Sequence, residues 1–418
     1  MSQRSPQVAS SSARRALTAG TLAGAGVAAG IWAGKRVQTF INEPRPDSMI
    51  DWERSRQIAT NMNRGEALTA SERTELDAYY RGLVEACVPI VSAYTGTTLP
   101  EGDRATFAFD RVDWINANLV AFERMFDPIE ELNPAKGRKN VAARAWNGIN
   151  QSVLSYEIGL LLGYMARRVL GQYDLALLGR EPLSSGKLYY VEPNIRGIEG
   201  KLKLPREDFR MWLALHETTH AFEFEAHPWV RDHFNTMLDR YMDFLKQDAD
   251  QLKQGVQGLR TIVSRARSGG DGGSSSWIEA FMNAEQRDLF NEMQAMMCVI
   301  EGYSNHVMNA VGRDLLKSYD LISRRFEERQ GQRSQADQLF ARLTGLDVKM
   351  EQYRAGEQFI DEIVQKKGHT FAHRVWDRAA NLPTMDEIRN PDAWIARIEL
   401  SDSWAPAALP GDTASAAG

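Results

Sequence analysis

The stretch Leu215-His216-Glu217-Thr218-Thr219-His220-Ala221 holds two histidines four residues apart, with a glutamate directly after the first. The residues around it, from Asp208 to Glu225, read as one helix, and on a helix positions i and i+4 share a face. Two imidazole nitrogens can therefore meet a single cation. Glu217, one step around from His216, is set to reach a water on that cation rather than the cation itself. The pattern suits zinc hydrolysis: zinc acidifies its water, and the carboxylate takes the proton as hydroxide attacks a polarised carbonyl. With only 7 histidines in the chain, two at this spacing around a glutamate carry more weight than so short a pattern does alone. Phe209, Trp212, Leu213 and Leu215 make the preceding turns apolar, so the charged and polar groups of the box need partners.

An open catalytic zinc site needs a third protein ligand. Glu223, Glu225, His227, Asp232 and His233 follow the box. The two glutamates come too soon on the same rigid helix, whereas His227 and His233 flank Pro228, where a chain reversal could return either one. Glu301 is the stronger candidate. It interrupts the apolar run Met296-Met297-Cys298-Val299-Ile300, where a lone carboxylate is costly, although an arginine partner would also satisfy it. Asn305, one turn on, is expected to orient a ligand imidazole. Tyr303 and His306 are candidates for stabilising an oxyanion, on proximity to Glu301 alone. His369 and His373 are also four apart, but no glutamate follows His369 and Lys366, Lys367 and Arg374 surround the pair; they read as surface or packing histidines.

Several segments in order resemble one family: Ile50-Asp51-Trp52, Arg111-Val112-Asp113-Trp114-Ile115 with Asn118, and Val169-Leu170-Gly171-Gln172-Tyr173-Asp174. Pro193-Asn194-Ile195, the histidine box with Pro228-Trp229, Glu301-Gly302, Leu382-Pro383-Thr384 and Asp392-Ala393-Trp394 continue the set. Over roughly residues 50–400 the chain resembles the zincin-like bacterial hydrolases known as zinc-dependent metalloproteases and linked by name to deazaflavin-coenzyme biosynthesis. The resemblance implies a mostly helical fold with a zincin-like core, zinc on His216, His220 and Glu301, and Glu217 as base. It implies no particular substrate. Family members often carry an acidic residue where Asn305 stands and a histidine at Tyr303; neither departure touches a proposed ligand or the base.

The elements that must hold these residues are mainly helices. Ser71 to Thr95 is amphipathic, with Leu76, Tyr79, Tyr80, Leu83, Val84 and Cys87 recurring at three and four. Ala142 to Leu170 reads as a long, central, buried helix in which Gly159 and Gly163 admit a close neighbour. Lys187 to Asn194 is the best strand, ended by Pro193-Asn194. In zincins a strand near the metal helix lines the cleft and pairs with extended substrate, so that role is expected here; a hairpin packed on the helix is the plainer alternative. The Gly- and Ser-rich run at 268–276 reads as a solvated linker or a lid. The fold class expected is mainly α, bundle-like, with a metal-bearing helix and a small β element.

With 418 residues, 43% of them hydrophobic and 25% charged, the chain can bury a large core. Its formal net charge of −5, with no long basic run, argues against a nucleic-acid partner. Cys87 and Cys298 read as core residues of a reducing compartment. Residues 1–49 form an extension whose uncharged stretch 16–34 has the length of a membrane span; it is rich in Ala and Gly, so a membrane anchor, a cytoplasmic flexible tail and an export signal compete. Residues 50–405 are expected to form the hydrolase domain and 406–418 a disordered tail. The function expected is a Zn2+-dependent hydrolase acting on a peptide or amide, with a zinc-stabilised scaffold that catalyses nothing as the alternative.

Overall fold

The structure, a computed structural model, describes residues 48–65, 67–101, 105–130, 141–173, 187–253, 283–331 and 346–403. The candidate anchor at 16–34, the run at 268–276 and the tail after Ser403 lie outside the described residues. Among the described residues no helix is long and apolar enough to cross a membrane.

The fold is mainly α with one small sheet, as the periodicity predicts. In chain order it runs α1 (Trp52–Met62), α2 (Ala70–Thr95), β1 (Thr106–Phe109), α3 (Arg111–Glu130), α4 (Val141–Met165), β2 (Gly171–Tyr173) and β3 (Leu188–Val191). It continues with α5 (Glu192–Leu202), α6 (Arg206–Glu225), α7 (Pro228–Lys253), α8 (Ala284–Leu315), α9 (Tyr319–Gly331) and α10 (Leu346–Lys367). Three short helices close it: α11 (His369–Ala372), α12 (Met385–Arg389) and α13 (Pro391–Ser403).

The chain divides into two compact units, Met1–Ser55 with Asn133–Gly159, and Arg56–Leu132 with Leu160–Gly418. In the first, the Asp51 amide donates to Ser155 Oγ at 2.8 Å and Ser55 Oγ to the Ser155 carbonyl at 2.9 Å. The histidine box and Glu301 lie in the second.

Local sequence explains the elements of that unit. Thr69 caps α2 and Glu72 reaches back to the cap, a reciprocal box that satisfies two orphan amides. Leu76, Tyr80, Val84, Cys87 and Val91 make the buried stripe of α2. Asn283 and Gln286 cap α8 in the same way. The strand order is β1-β3-β2, with β3 parallel to β1 and antiparallel to β2. All four residues of β3 are buried, as befits a strand with neighbours on both sides.

Three expectations need correction. The strand does not run to Asn194: Val191 is its last residue and Pro193 sits in the first turn of α5, where a missing amide costs nothing. Nor can that strand take a substrate along its edge, because β1 and β2 occupy both sides. Helix α4 is also less buried than its apolar run suggests. Val153 and Tyr156 are half exposed, while Gly163 does admit a neighbour, since a Cβ there would meet Met62 Sδ at 2.8 Å.

Candidate metal centre

Helix α6 carries the histidine box, and its anchoring begins at its N-terminal end. Glu207 and Asp208 favour the positive end of the helix dipole, and Asp208 also accepts the Ser318 amide at 2.8 Å. Arg210 is fully buried and paired with Glu192 at 2.7 Å and Glu199 at 2.6 Å. Glu192, itself wholly buried, also takes the Tyr80 hydroxyl at 2.6 Å and Arg196 at 2.7 Å. A buried charge with this many partners is satisfied, and the network ties α6 to α5 and α2. From Phe209 onward the helix is nearly all buried, so its polar residues must be accounted for one by one.

His216 and His220 stack edge to face with ring centroids 4.6 Å apart. His216 Nε2 lies 3.8 Å from Glu301 Oε2. One ligand atom from each of His216, His220 and Glu301 falls within 4.8 Å of the others. Among the described residues this is the one such group of three. His220 Nδ1 faces Glu223 Oε2 at 2.8 Å and Ser304 Oγ at 3.0 Å, which leaves its Nε2 for the cluster. Burial and the neighbouring His220 push His216 down to about 3, so its imidazole is neutral and able to donate a lone pair. For His220 burial works against the charged form, but the Glu223 carboxylate outweighs it and the net direction is up. Two imidazoles and one carboxylate, two of the three partly exposed, are a donor set that fits zinc with room for one more ligand.

Glu217 is almost fully buried beside them. Burial pushes its carboxyl up to about 7, against the opposing pull of His220 and a hydrogen bond from the Tyr173 amide. That amide belongs to β2. Val191 donates to the Leu170 carbonyl at 2.8 Å, so by antiparallel alternation the backbone groups of Gly171 and Tyr173 point away from β3. Gly171 lies against this carboxylate: a Cβ there would meet Glu217 Cδ at 2.7 Å and Cγ at 2.8 Å. β2 is itself held at its middle residue and through the turn that leads into it. Trp114 Nε1 donates to Gln172 Oε1 at 2.7 Å, and Asn194 Nδ2 donates to the Ala166 and Val169 carbonyls at 2.7 Å. Asn194 Oδ1 in turn accepts from Arg111 Nε at 2.7 Å. The scattered Arg111–Trp114, Val169–Tyr173 and Pro193–Ile195 segments thus converge on the strand beside Glu217.

Glu301 is set by α8, and α8 by its crossing with α10. A Cβ on Gly302 would meet Glu357 N and the Gly356 carbonyl oxygen at 2.6 Å, and one on Gly356 would meet the Cys298 carbonyl carbon at 2.7 Å. The two backbones touch where only glycine fits. Asn309 donates to Glu357 at 2.5 Å about two turns further along α8.

The other sequence candidates lie elsewhere. Glu225 accepts from the Tyr173 hydroxyl at 3.2 Å, His233 faces Glu292 at 3.4 Å, and Asp232 is exposed. His220 Nδ1 is met by Glu223 and Ser304 and not by Asn305, the residue expected in that role. Tyr303 is buried with its hydroxyl 3.1 Å from His373 Nδ1, and His306 lies between Tyr94 at 2.7 Å and Asp361 at 2.5 Å. His227, His373, His369 and His306 form a chain of rings with neighbouring centroids 5.4 to 6.4 Å apart. The pair His369 and His373 is therefore packed, as expected. Ser304, Glu223 and Gly171 were not singled out for the parts they play. The available signals were a glutamate one turn after the second histidine and a serine one turn after Glu301.

The sequence profile of a family described as zincin-like metallopeptidase matches residues 50–395. Among solved structures the chain is similar to a protein of Chloroflexus aurantiacus described as a candidate hydrolase with a novel fold. The identity is 41% and the TM-score 0.63, over 84% of this chain and 99% of that one. No curated protein matches the chain.

Proposed function

The chain belongs to the zincin-like metallopeptidase family, and from that premise we propose that it is a zinc-dependent hydrolase of peptides or amides. His216, His220 and Glu301 hold the metal and Glu217 is the general base. The observation that carries this reading is the convergence of the three donors within 4.8 Å, beside a buried carboxylate. Zinc bound there supplies a Lewis acid that polarises a carbonyl and acidifies water.

The rest is the work of this chain's own groups. Glu217 accepts the proton of the attacking water and later delivers it to the leaving amine. The Tyr173 amide aims the carboxylate, and Gly171 leaves it room. His216 and Glu301 are partly exposed, at 19% and 27% of their side chains, so substrate enters from their side while Glu217 is shielded. Among the described residues β2 has β3 as its sole strand neighbour. Its Tyr173 amide is already committed to Glu217, so this strand serves the carboxylate.

The test uses the full chain, with elemental mass spectrometry for metal and a mixed peptide library for cleavage. Stoichiometric zinc in wild type and Glu217→Gln, lost in Glu301→Ala, with new amino termini from wild type alone, is the expected result. Equal cleavage by Glu217→Gln, or no zinc uptake by wild type, overturns the reading; zinc without any cleavage points to a scaffold.

A further inference from the structure

Glu223 is 1% exposed and Ser304 fully buried, yet neither belongs to the donor set. An isolated carboxylate in that setting is costly, so its presence calls for a use. Its two oxygens are both engaged. Oε2 faces His220 Nδ1 at 2.8 Å, and Oε1 accepts the Ser304 hydroxyl at 2.9 Å. Because that hydroxyl donates to Glu223, its lone pairs face His220 Nδ1, 3.0 Å away. The proton on the ring is thereby fixed at Nδ1, and the lone pair at Nε2.

Helix geometry makes this a closed arrangement. Glu223 is three residues after His220 on α6, and Ser304 is three residues after Glu301 on α8, so each clamp residue shares a face with a donor. The helix that brings Glu301 to the cluster thus also locks the carboxylate behind His220. His216 has no such support: its Nδ1 is buried with no hydrogen-bond partner among the described residues.

Resting on the metal reading above, we propose that Glu223 and Ser304 are positioning residues. They fix the tautomer and ring plane of His220 and so set the affinity and geometry of the metal at its Nε2. Carboxylates behind a ligand imidazole strengthen it as a donor, and their loss weakens metal binding by about 10- to 100-fold. Ser304 meets both Glu223 and His220 Nδ1, but it is a neutral partner, so its contribution is smaller and is not additive with that of Glu223.

The experiment measures zinc affinity of the full chain by competition with a chromophoric chelator, and the visible spectrum of the cobalt-loaded chain. The variants are Glu223→Gln, Ser304→Ala and the double variant, with thermal midpoints of the metal-free proteins recorded alongside. Glu223→Gln is expected to bind zinc about 10- to 100-fold more weakly and to shift the cobalt bands. Ser304→Ala shifts both less, and the double variant is no weaker than Glu223→Gln. A merely structural pair would lower the metal-free midpoint and leave the cobalt spectrum of the folded protein unchanged; that result overturns the proposal, as does wild-type zinc affinity in both single variants. Ser304→Ala removes one hydroxyl, so it reports even if Glu223→Gln does not fold. A wild type that takes up no metal overturns the zinc reading and this inference with it, whereas zinc bound equally by all variants overturns this inference alone.

Discussion

Gly171 and Glu217 are in van der Waals contact, the strand backbone lying directly against the side chain of the box glutamate. The contact is one-sided in its tolerance. On the glycine side there is backbone, held in register with Tyr190; on the other there is a side chain with free torsions. A methyl group at 171 therefore moves the carboxylate and not the strand. Gly171→Ala should retain zinc and most of its stability while losing turnover by about 100-fold, the scale of an ångström-sized misplacement at a reacting group. Zinc content together with library cleavage checks it, and unchanged cleavage would refute the contact.

Gly302→Ala makes the opposite prediction. Here backbone faces backbone, at 2.6 Å from Glu357 N, and neither helix has a side chain to yield. Overpacking of this kind costs about 1–3 kcal/mol or more. The denaturant midpoint should fall, and zinc affinity with it, because Glu301 is the adjacent residue. A variant as stable as wild type would show that α8 and α10 separate easily.

Arg210→Met would leave the buried carboxylate of Glu192 without its closest fully buried cation. Breaking one side of a buried pair costs about 3–5 kcal/mol. Tyr80 and Arg196 remain as partners, so the lower end is expected. Chemical denaturation reads it directly, and a loss below about 1 kcal/mol would mean those two suffice.

The histidine chain predicts acid sensitivity. Burial, with His373 beside it, holds His227 down to about 4, and burial with His306 and His373 does the same for His369. Unfolded, both titrate near about 6.5. Between those values the unfolded chain binds more protons than the folded one, so stability falls as pH drops from about 6.5 toward 4. Replacing both residues with Asn should flatten that slope in denaturation midpoints taken across the window; an unaltered slope would place the titration elsewhere.

Much of this was legible in the chain. The helical periodicity of α2, the box on α6 and the costly carboxylate at Glu301 follow from residue types and spacing, because helix faces are set by local geometry. The strand was legible but its end was not: Pro193 reads equally as a stop or as the first turn of a helix, and only the buried Glu192 network selects the second. The edge strand was missed because three residues, Gly171 to Tyr173, carry no period.

The sequence by itself determined that His216, Glu217 and His220 share one helix, and that Glu301 sits where a carboxylate must find a partner. It could rank Glu301 above Glu225, His227, Asp232 and His233 but had no means of bringing it 85 residues back to His216. Tertiary structure decided that, through the packing of α8 on α6, and it also decided what stands behind each group: Glu223 and Ser304 behind His220, Tyr173 and Gly171 behind Glu217. The physical reason is that a helix dictates which of its own residues are neighbours, whereas a partner from a distant segment is chosen by packing, which no local pattern encodes.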